Sequence, residues 1–330
     1  MKPVTITITT LSMLRAPREE LADDARQGLI STPKHLPPKH LYDARGSELF
    51  EVITQLPEYP VTRAETAILE DAADAIVAAA QPDELLELGS GSSRKTRLLL
   101  EAMHRQGTGD RYAPLDVSVA AVEQAAAELA VDHPWLEVRG AIGDFSRDLG
   151  KVPRDGRRLV AFLGSTIGNL LPPARAELLT AIADSMAPED RFLLGVDLVK
   201  PRDVLEAAYD DAAGVTAAFT TNLLVILNRE LAGDLPVDAF VHRARWDAEA
   251  EHVELTLEAT REVHARLERL DLDVHFAAGE HLLVEHSCKF RVPGIRAELA
   301  AAGLEVEQVH GGDTHGFALL LARRTGGADR

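Results

Sequence analysis

Residues 85–96, LLELGSGSSRKT, form a short apolar run that leads through a loop of small residues into a helix-like stretch over residues 95–104. Small residues allow a backbone to approach a ligand closely. In doubly wound α/β folds, such a loop follows a buried strand at the carboxyl edge of the sheet, where nucleotides bind. This stretch therefore predicts a nucleotide-type ligand beside Gly89 and Gly91.

The loop does not match two other glycine patterns. A phosphate-binding P-loop requires glycine directly before its Lys-Thr pair, but Arg94 precedes Lys95 here. The dinucleotide pattern G-x-G-x-x-G also fails, because Arg94 stands at the position of its third glycine. The sequence favours a nucleoside without a pyrophosphate.

Short apolar runs on both sides of this loop predict the strands of a parallel sheet covered by helices. These runs are LLEL, APLDV, LEVRG, LVAFLG and FLLGVDL, and the helix candidates between them cover residues 95–104, 119–131 and 173–186. LVAFLG is apolar without alternation, which is typical of a central strand buried on both faces.

The pattern changes after Lys200, where residues 201–289 have the features of an inserted α+β segment. Its runs HVELTLEAT and EVHARLERL alternate in polarity, which predicts antiparallel strands. Residues 295–324 predict a helix, a glycine stop and two strands that complete the first sheet. The proline-rich residues 31–43 predict an extended N-terminal arm.

Acidic residues follow two further strands of the predicted sheet. Asp116 is suited to accept hydrogen bonds from ribose hydroxyls, while Asp144 and Phe145 suit the edge and face of an adenine. Each residue also has a purely structural explanation: turn glycines, helix-capping aspartates, and Lys95 as a solvated helix charge. Their placement at successive strand ends on one edge favours an adenosyl site.

The composition of the 330-residue chain excludes several classes of function. A net charge of −18 and a pI near 5.1 disfavour nucleic acid and anionic membranes as partners. The single cysteine, Cys288, excludes an intrachain disulfide, and we expect no metal site. The N-terminal residues lack the apolar stretch of a signal peptide. We expect a cytoplasmic protein, a small-molecule substrate and a monomer.

The chain resembles the histidine-specific Nα-methyltransferases that make trimethylhistidine (hercynine) for ergothioneine biosynthesis. The resemblance covers nearly the whole chain, and its most distinctive stretches are TPKHLPPKHLYDARGSELFEVITQLPEYPVTRAE, LLELGSGSSRKTRLLL, GDF, VAFLGSTIGNL, DLVK, AYDDAAGVTAAF, NRE and HFAAGEHLLVEHSCKF.

This resemblance implies a class I S-adenosylmethionine-dependent methyltransferase, with a Rossmann-like doubly wound α/β sheet and a second, α+β substrate-binding domain. It implies that residues 1–63 and 200–289 form the substrate-binding domain, that residues 64–199 bind the methyl donor, and that residues 290–330 complete the core.

The resemblance also implies two groups of site residues. The methyl donor would be bound by Tyr42, Gly89, Lys95, Asp116, Asp144 and Phe145. The amino acid would be bound by Tyr59, Asn169, Tyr209, Glu285 and Ser287, and by Leu255 where relatives have methionine. Tyr59 and Asn169 would orient the reacting amine. In this chain Tyr59 is followed by Pro60 and Val61, where the family commonly has a second tyrosine.

The chemistry of the amino-acid group agrees with these roles. Asn169 and the phenols of Tyr59 and Tyr209 can donate hydrogen bonds to a carboxylate. Glu285 and Ser287 can bond the nitrogens of an imidazole and, two residues apart on a strand, they share one face, whereas His286 points away. Apart from the resemblance, packing is the favoured explanation for both tyrosines.

Two alternatives remain open from sequence: the same fold methylating tryptophan or another amine, and a non-catalytic sensor of the methyl donor. Hydrolase motifs are absent from the sequence, since GSTIG at residues 164–168 has its serine one place too early and no H-E-x-x-H occurs.

Overall fold

The computed structural model describes residues 5–12, 16–91 and 93–326. Ser92 of the glycine-rich loop lies outside the described residues. In chain order, the strands are β1 (Ile6–Thr10), β2 (Lys34–His35), β3 (Glu84–Leu88), β4 (Arg111–Asp116), β5 (Glu137–Ile142), β6 (Arg158–Phe162), β7 (Arg191–Asp197), β8 (Phe240–Asp247), β9 (His252–Ala259), β10 (Val263–Leu267), β11 (Leu272–Phe276), β12 (His281–Cys288), β13 (Leu304–Gly312) and β14 (Phe317–Arg324).

The helices are α1 (Pro17–Gly28), α2 (Ala44–Ile53), α3 (Val61–Ala80), α4 (Thr96–Gln106), α5 (Val119–Asp132), α6 (Phe145–Asp148), α7 (Pro172–Ser185), α8 (Arg202–Tyr209), α9 (Val215–Leu231) and α10 (Val292–Ala301). Within the described ranges, none of them is long and apolar enough to cross a membrane.

The main sheet has eight strands in the order β1-β5-β4-β3-β6-β7-β14-β13. The pairs from β1 to β7 are parallel, whereas β14 is antiparallel to both β7 and β13. The chain runs outward from β3 in both directions, so the order reverses beside β3, and a ligand crevice is expected there. The doubly wound α/β fold predicted from the sequence is confirmed.

Burial explains the central strands of this sheet. Every residue of β3 and β6 is buried, as expected for parallel strands covered on both faces. After β3, helix α4 packs Leu99, Leu100 and Met103 inward and ends at Gly107, whose positive φ of 65° closes the last turn. The expected strand–loop–helix unit at residues 85–104 is therefore present.

The chain divides into two compact units. The first contains the described residues of Met1–Leu14, Arg63–Leu198 and Phe290–Arg330, and it holds the main sheet. Strand β1 pairs in parallel with β5, with Ile6 opposite Val138. The expected grouping of residues 1–63 into one substrate-binding segment is therefore wrong for β1, because its backbone hydrogen bonds are satisfied by the main sheet.

The second unit comprises Arg15–Thr62 and Val199–Lys289. It contains a four-stranded sheet, β2-β12-β9-β8, and the hairpin β10-β11. The antiparallel strands predicted in the insertion are present, with β9 lying between β8 and β12. Residues 31–43 are extended only in part. Strand β2 pairs with β12 as an extended segment, whereas Pro38–Leu41 form a 3₁₀ helix.

Candidate active site

The loop after β3 in the first unit bends sharply. Gly89 and Gly91 have φ angles of 66° and 48°, in the left-handed region that favours glycine. A β-carbon at Gly89 would lie 3.8 Å from Cε1 of Phe145, whereas a β-carbon at Gly91 would meet no atom within 4 Å among the described residues. The loop thus combines turn glycines with open space above Gly91.

Asp116, at the end of the neighbouring strand β4, is tied to this loop. Its Oδ2 accepts a hydrogen bond from the backbone N–H of Gly91 at 3.2 Å, and its Oδ1 accepts from that of Ser118 at 2.9 Å. Burial raises the pKa of Asp116, and these two hydrogen bonds oppose the rise. The carboxylate is therefore held in place at the carboxyl edge of the sheet.

A polar network lies behind the loop. Glu87 of β3 is 4% exposed and accepts hydrogen bonds from the hydroxyls of Thr96 and Tyr112. The Tyr112 hydroxyl also bonds Ser93 at 2.6 Å. Burial raises the pKa of Glu87 to about 7, although both hydroxyls lower it. This network fixes both ends of the loop to the strands beneath it.

Lys95 is not a solvated helix charge. Its ammonium pairs with Glu65 of α3, which is fully buried. Both carboxylate oxygens of Glu65 also accept the backbone N–H of Gly164, each at 2.9 Å. Because Gly164 follows β6, this interaction ties the loop after β3 to the loop after β6 and neutralises the lysine.

Asp144 and Phe145 follow β5. Asp144 caps α6, accepting hydrogen bonds from the backbone N–H of Ser146 at 2.9 Å and from its hydroxyl at 2.6 Å. The Phe145 ring lies 5.3 Å from that of Phe162. The loops after β3, β4 and β5 therefore bring together five of the six residues expected to bind the methyl donor.

Asn169 also belongs to the first unit. It ends the 3₁₀ helix Thr166–Asn169 and is partly exposed. Ser165, directly before this helix, has a φ of 57° and accepts a hydrogen bond from the backbone N–H of Asp197 at 2.9 Å. This bond anchors the turn that carries Asn169 to the end of β7.

In the second unit, a β-bulge in β12 determines which way Glu285 points. Leu282 pairs with Leu257 of β9, and Glu285 pairs with Leu255, with the register shift between the two pairs. Leu255 and Leu257 share one face of β9, so the bulge places Glu285 on the same face as Leu282. Ser287 follows two residues later on that face.

Lys289 lies next to this pair and is 3% exposed. Its ammonium donates hydrogen bonds to the Ser287 hydroxyl at 2.6 Å and the Tyr209 hydroxyl at 2.7 Å. The two hydroxyls bond each other at 2.7 Å. Tyr209 was expected to donate to a substrate carboxylate, but here its phenol bonds Ser287 and Lys289.

The carboxyl group of Glu285 has an unusual environment. Burial raises its pKa to about 7, and the nearby ammonium of Lys289 lowers it. A carboxyl group with this pKa changes charge near neutral pH, which is common at functional sites.

Tyrosines surround this region of the second unit. The Tyr59 ring is buried and lies edge-on to that of Tyr209, with centroids 6.0 Å apart. Tyr42 is 41% exposed and packs edge-on against Phe50 and Phe219, at 5.4 and 5.3 Å. Tyr42 thus belongs to the second unit, unlike the other residues expected to bind the methyl donor.

The other face of the β9–β12 pair carries a group with metal-ligand chemistry. His286 lies opposite Glu254, and its Nε2 is 3.8 Å from Glu254 Oε1, while His252 Nε2 is 3.3 Å from the same oxygen. This cluster differs from the prediction, made from sequence, of no metal site. His286 points away from Glu285 and Ser287, as predicted.

The family model for histidine-specific, S-adenosylmethionine-dependent methyltransferases matches residues 21–324. The chain belongs to this family. S-adenosylmethionine is therefore the methyl donor of this methyltransferase.

Individual relatives are similar over most of the chain. The histidine N-alpha-methyltransferase of Mycolicibacterium smegmatis is 50% identical over 306 residues, which cover 93% of this chain and 95% of that protein. The enzyme of the same name from Mycobacterium tuberculosis is 48% identical, covering 92% and 95%. Ergothioneine biosynthesis protein 1 of Neurospora crassa is 35% identical over 61% of this chain and 23% of its own length.

Sequence reasoning did not identify three buried polar residues of this methyltransferase: Glu65, Lys289 and His242. Glu65 has no local signal, because its partners come from distant parts of the chain. Lys289 could have been found, since residues 285, 287 and 289 continue one alternation along the strand. His242 bonds the Tyr209 carbonyl at 2.7 Å and the Thr220 hydroxyl at 2.9 Å.

Proposed function

We propose that this enzyme transfers three methyl groups from S-adenosylmethionine to the α-amino nitrogen of L-histidine, which gives hercynine in the first step of ergothioneine biosynthesis. The observation that carries the proposal is the placement of Glu285 and Ser287 on one face of β12, with Leu255 directly opposite Glu285. The names of the mycobacterial and fungal relatives support the same substrate and pathway.

The first unit would hold the methyl donor at the loops after β3, β4 and β5. The open space at Gly91 leaves room for a ligand close to the backbone, and the Asp116 carboxylate is positioned to accept hydrogen bonds from ribose hydroxyls. Asp144 and Phe145 would meet the adenine. Lys95 would act by tying this loop to Gly164 through Glu65, because its charge is already paired.

The second unit would recognise the imidazole. An ionised Glu285 can accept an imidazole N–H, and Ser287 can bond the other ring nitrogen. Leu255 supplies an apolar surface beside them and is almost fully buried. A site built to satisfy both ring nitrogens discriminates against side chains that lack them, because its own polar groups would then be left unpaired.

Tyr59 and Asn169 would orient the amino acid backbone. Both can donate hydrogen bonds to the carboxylate, which directs the amine. The sulfonium of the methyl donor supplies an electrophilic methyl group. The enzyme must hold the amine lone pair in line with that methyl group, so alignment supplies most of the acceleration. Binding of the α-amino group in its neutral form supplies the lone pair without a strong base.

The tyrosine rings of the second unit also fit the product. Each of the first two transfers gives a protonated N-methyl amine, which must lose its proton before the next transfer, and the third leaves a permanent positive charge. The rings of Tyr59 and Tyr209 lie edge-on to each other with centroids 6.0 Å apart, and Tyr42 and Glu285 belong to the same unit. Aromatic faces attract quaternary ammonium groups, which supports successive methylation in one site.

The test is incubation of the pure enzyme with L-histidine and S-adenosylmethionine, followed by mass spectrometry for products carrying one, two and three added methyl groups. Tryptophan and other amino acids serve as competing substrates. Efficient methylation of tryptophan with no histidine product would favour the alternative amine substrate. Tight binding of the methyl donor with no transfer to any amine would favour a sensor.

A further inference from the structure

A buried ammonium group in the second unit has no role in the reaction as proposed above. Lys289 is 3% exposed, although lysine is rarely buried unless its charge is compensated. Its ammonium donates hydrogen bonds to the hydroxyls of Ser287 and Tyr209. Both hydroxyls belong to residues of the proposed histidine site.

We propose that Lys289 is a positioning residue that determines specificity for a neutral imidazole, because it fixes the direction of the hydrogen bonds made by Tyr209 and Ser287. This inference rests on the proposed histidine substrate.

The donors and acceptors at this site can be counted. An ammonium group only donates, so both hydroxyl oxygens accept from Lys289. The hydrogen bond between Tyr209 and Ser287 uses the hydrogen of one hydroxyl. When Tyr209 donates to Ser287, the remaining hydroxyl hydrogen is that of Ser287, and it points outside this group of three residues.

A neutral imidazole matches that arrangement. It has one N–H donor and one ring nitrogen with a lone pair. Glu285 as a carboxylate accepts the N–H, and Ser287 donates to the lone pair. With Tyr209 as the donor to Ser287, the order Lys289 to Tyr209 to Ser287 to imidazole selects one tautomer of the substrate.

A hydrogen bond to its backbone carbonyl also fixes the position of Tyr209. His242 bonds the Tyr209 carbonyl oxygen at 2.7 Å, and burial lowers the pKa of His242, so the imidazole of His242 stays neutral. The Thr220 hydroxyl bonds the other nitrogen of His242 at 2.9 Å. These contacts fix the end of α8 relative to Ser287.

The charge of Lys289 also affects Glu285. Burial raises the pKa of Glu285, and the ammonium opposes this rise. Among the described residues, the other titratable groups near this carboxyl are the phenols of Tyr42, Tyr59 and Tyr209. Burial of its hydroxyl end and the charge of Glu285 raise the pKa of Tyr42, although 41% of the whole residue is exposed. The phenols stay neutral near pH 7, so Lys289 is the charge that favours the carboxylate.

The test compares Lys289→Met and Lys289→Arg with the wild-type enzyme. Lys289→Met removes the charge and both hydrogen bonds, so we expect the KM for histidine to rise at least about tenfold, with a smaller change in kcat. The Kd of S-adenosylmethionine should not change. The pH below which kcat/KM declines, called here the acid limit, should move upward. Without the ammonium that favours its charged form, Glu285 has a higher pKa.

Lys289→Arg keeps the charge but changes the donor geometry. It should leave the acid limit near its wild-type position and give an intermediate KM for histidine. Arg243→Met is the matched control, since it removes an exposed cation from β8 that pairs with Glu258 at 2.7 Å. It should change neither quantity. Circular dichroism and Tm establish that each variant is folded.

Two results would overturn the inference on its own: a folded Lys289→Met enzyme with unchanged KM and acid limit, or, if that variant does not fold, a Lys289→Arg enzyme with unchanged KM. A wild-type enzyme that does not methylate histidine would instead overturn the proposed function, and this inference with it.

Discussion

Glu65 occupies the space that a side chain at Gly195 would need: a β-carbon on Gly195 would lie 2.2 Å from Oε1 of Glu65. Gly195 lies in β7. Glycine is needed there because a larger side chain would clash with Glu65, not because of an unusual backbone conformation. The small residue lets a buried carboxylate reach both Lys95 and the backbone of Gly164. One glycine in a strand thus permits the contact that joins two loops of the candidate cofactor site.

Gly195→Ala should therefore destabilise the first unit. The added methyl group must displace a buried carboxylate from two partners, and we expect a loss of about 2–4 kcal/mol in the free energy of unfolding. Urea denaturation measures this loss. Gly294→Ala in α10 is the control, because its β-carbon would meet nothing within 4 Å among the described residues and should be neutral or stabilising.

The main sheet was predictable because its strands have local signatures. The run at residues 159–164 is apolar throughout and forms the buried strand β6, and the small residues after β3 form the expected bend. The residues after β3, β4 and β5 meet at one edge because parallel strands end there. Periodicity and topology are sufficient for these features.

Other features depend on partners that are distant in sequence. The pairing of β1 with β5 follows from long-range hydrogen bonding, and nothing in residues 6–10 distinguishes this from an independent arm. The bulge before Glu285 adds one residue without changing the local pattern, yet it reverses the face of every later side chain in β12. The close packing of Glu65 against Gly195 joins residues far apart in sequence, so no local pattern indicates it.

Asp116→Ala should weaken binding of the methyl donor. The substitution removes the proposed ribose acceptor and the partner of the Gly91 N–H, so we expect the Kd of S-adenosylmethionine to rise at least about tenfold. Asp116→Asn keeps one acceptor oxygen and should lose less. Titration calorimetry without histidine measures both. Asp110→Asn, an exposed aspartate just before β4, should bind normally, and equal affinity in all four proteins would contradict the assignment.

Asn169→Ala should reduce kcat/KM for histidine by about ten- to a hundredfold, because misdirection of the amine costs alignment. Binding of S-adenosylmethionine should persist. Steady-state kinetics measure the change. Thr180→Ala on α7 is the control, since that exposed hydroxyl bonds the Ala176 carbonyl of its own helix. An unchanged kcat/KM in Asn169→Ala would remove this residue from the site.

Glu285 predicts the pH dependence of the reaction. Burial raises the pKa of this carboxyl to about 7, so the carboxylate that accepts the imidazole N–H is present above that pH and is lost as pH falls through it. We expect kcat/KM for histidine to decline below about pH 7. Glu285→Gln should lose at least about tenfold in the preference for histidine over tryptophan and lack this contribution to the acid limit.

The matched control for that experiment is Glu258→Gln on β9, whose carboxylate pairs with the exposed Arg243. It should retain both the preference and the pH profile of the wild type. A Glu285→Gln enzyme with wild-type selectivity would show that another group recognises the imidazole.

Because the pKa of Glu87 is raised, its contribution to the free energy of unfolding should fall as pH rises. A salt-bridged carboxylate, whose pKa is lowered, has the opposite effect. Its folded-state pKa is raised by burial from 4.5 to about 7, so the folded protein binds the proton more tightly than the unfolded chain does. Its contribution to stability is fully present below pH 4.5 and declines as pH rises through 7. The decline amounts to at most about 3 kcal/mol.

Glu87→Gln removes the titrating group. Thr96 and Tyr112 bond different oxygens of Glu87, so the amide oxygen can accept from one hydroxyl, and the amide NH2 can donate to the other. We therefore expect the stability of this variant, relative to the wild type, to improve steadily between pH 5 and about 8. Urea denaturation across that range measures the difference. Glu123→Gln, on the exposed side of α5, should run parallel to the wild type. A Glu87→Gln curve that also runs parallel would mean that Glu87 is ionised in the folded protein throughout this range, and that its buried network carries a charge.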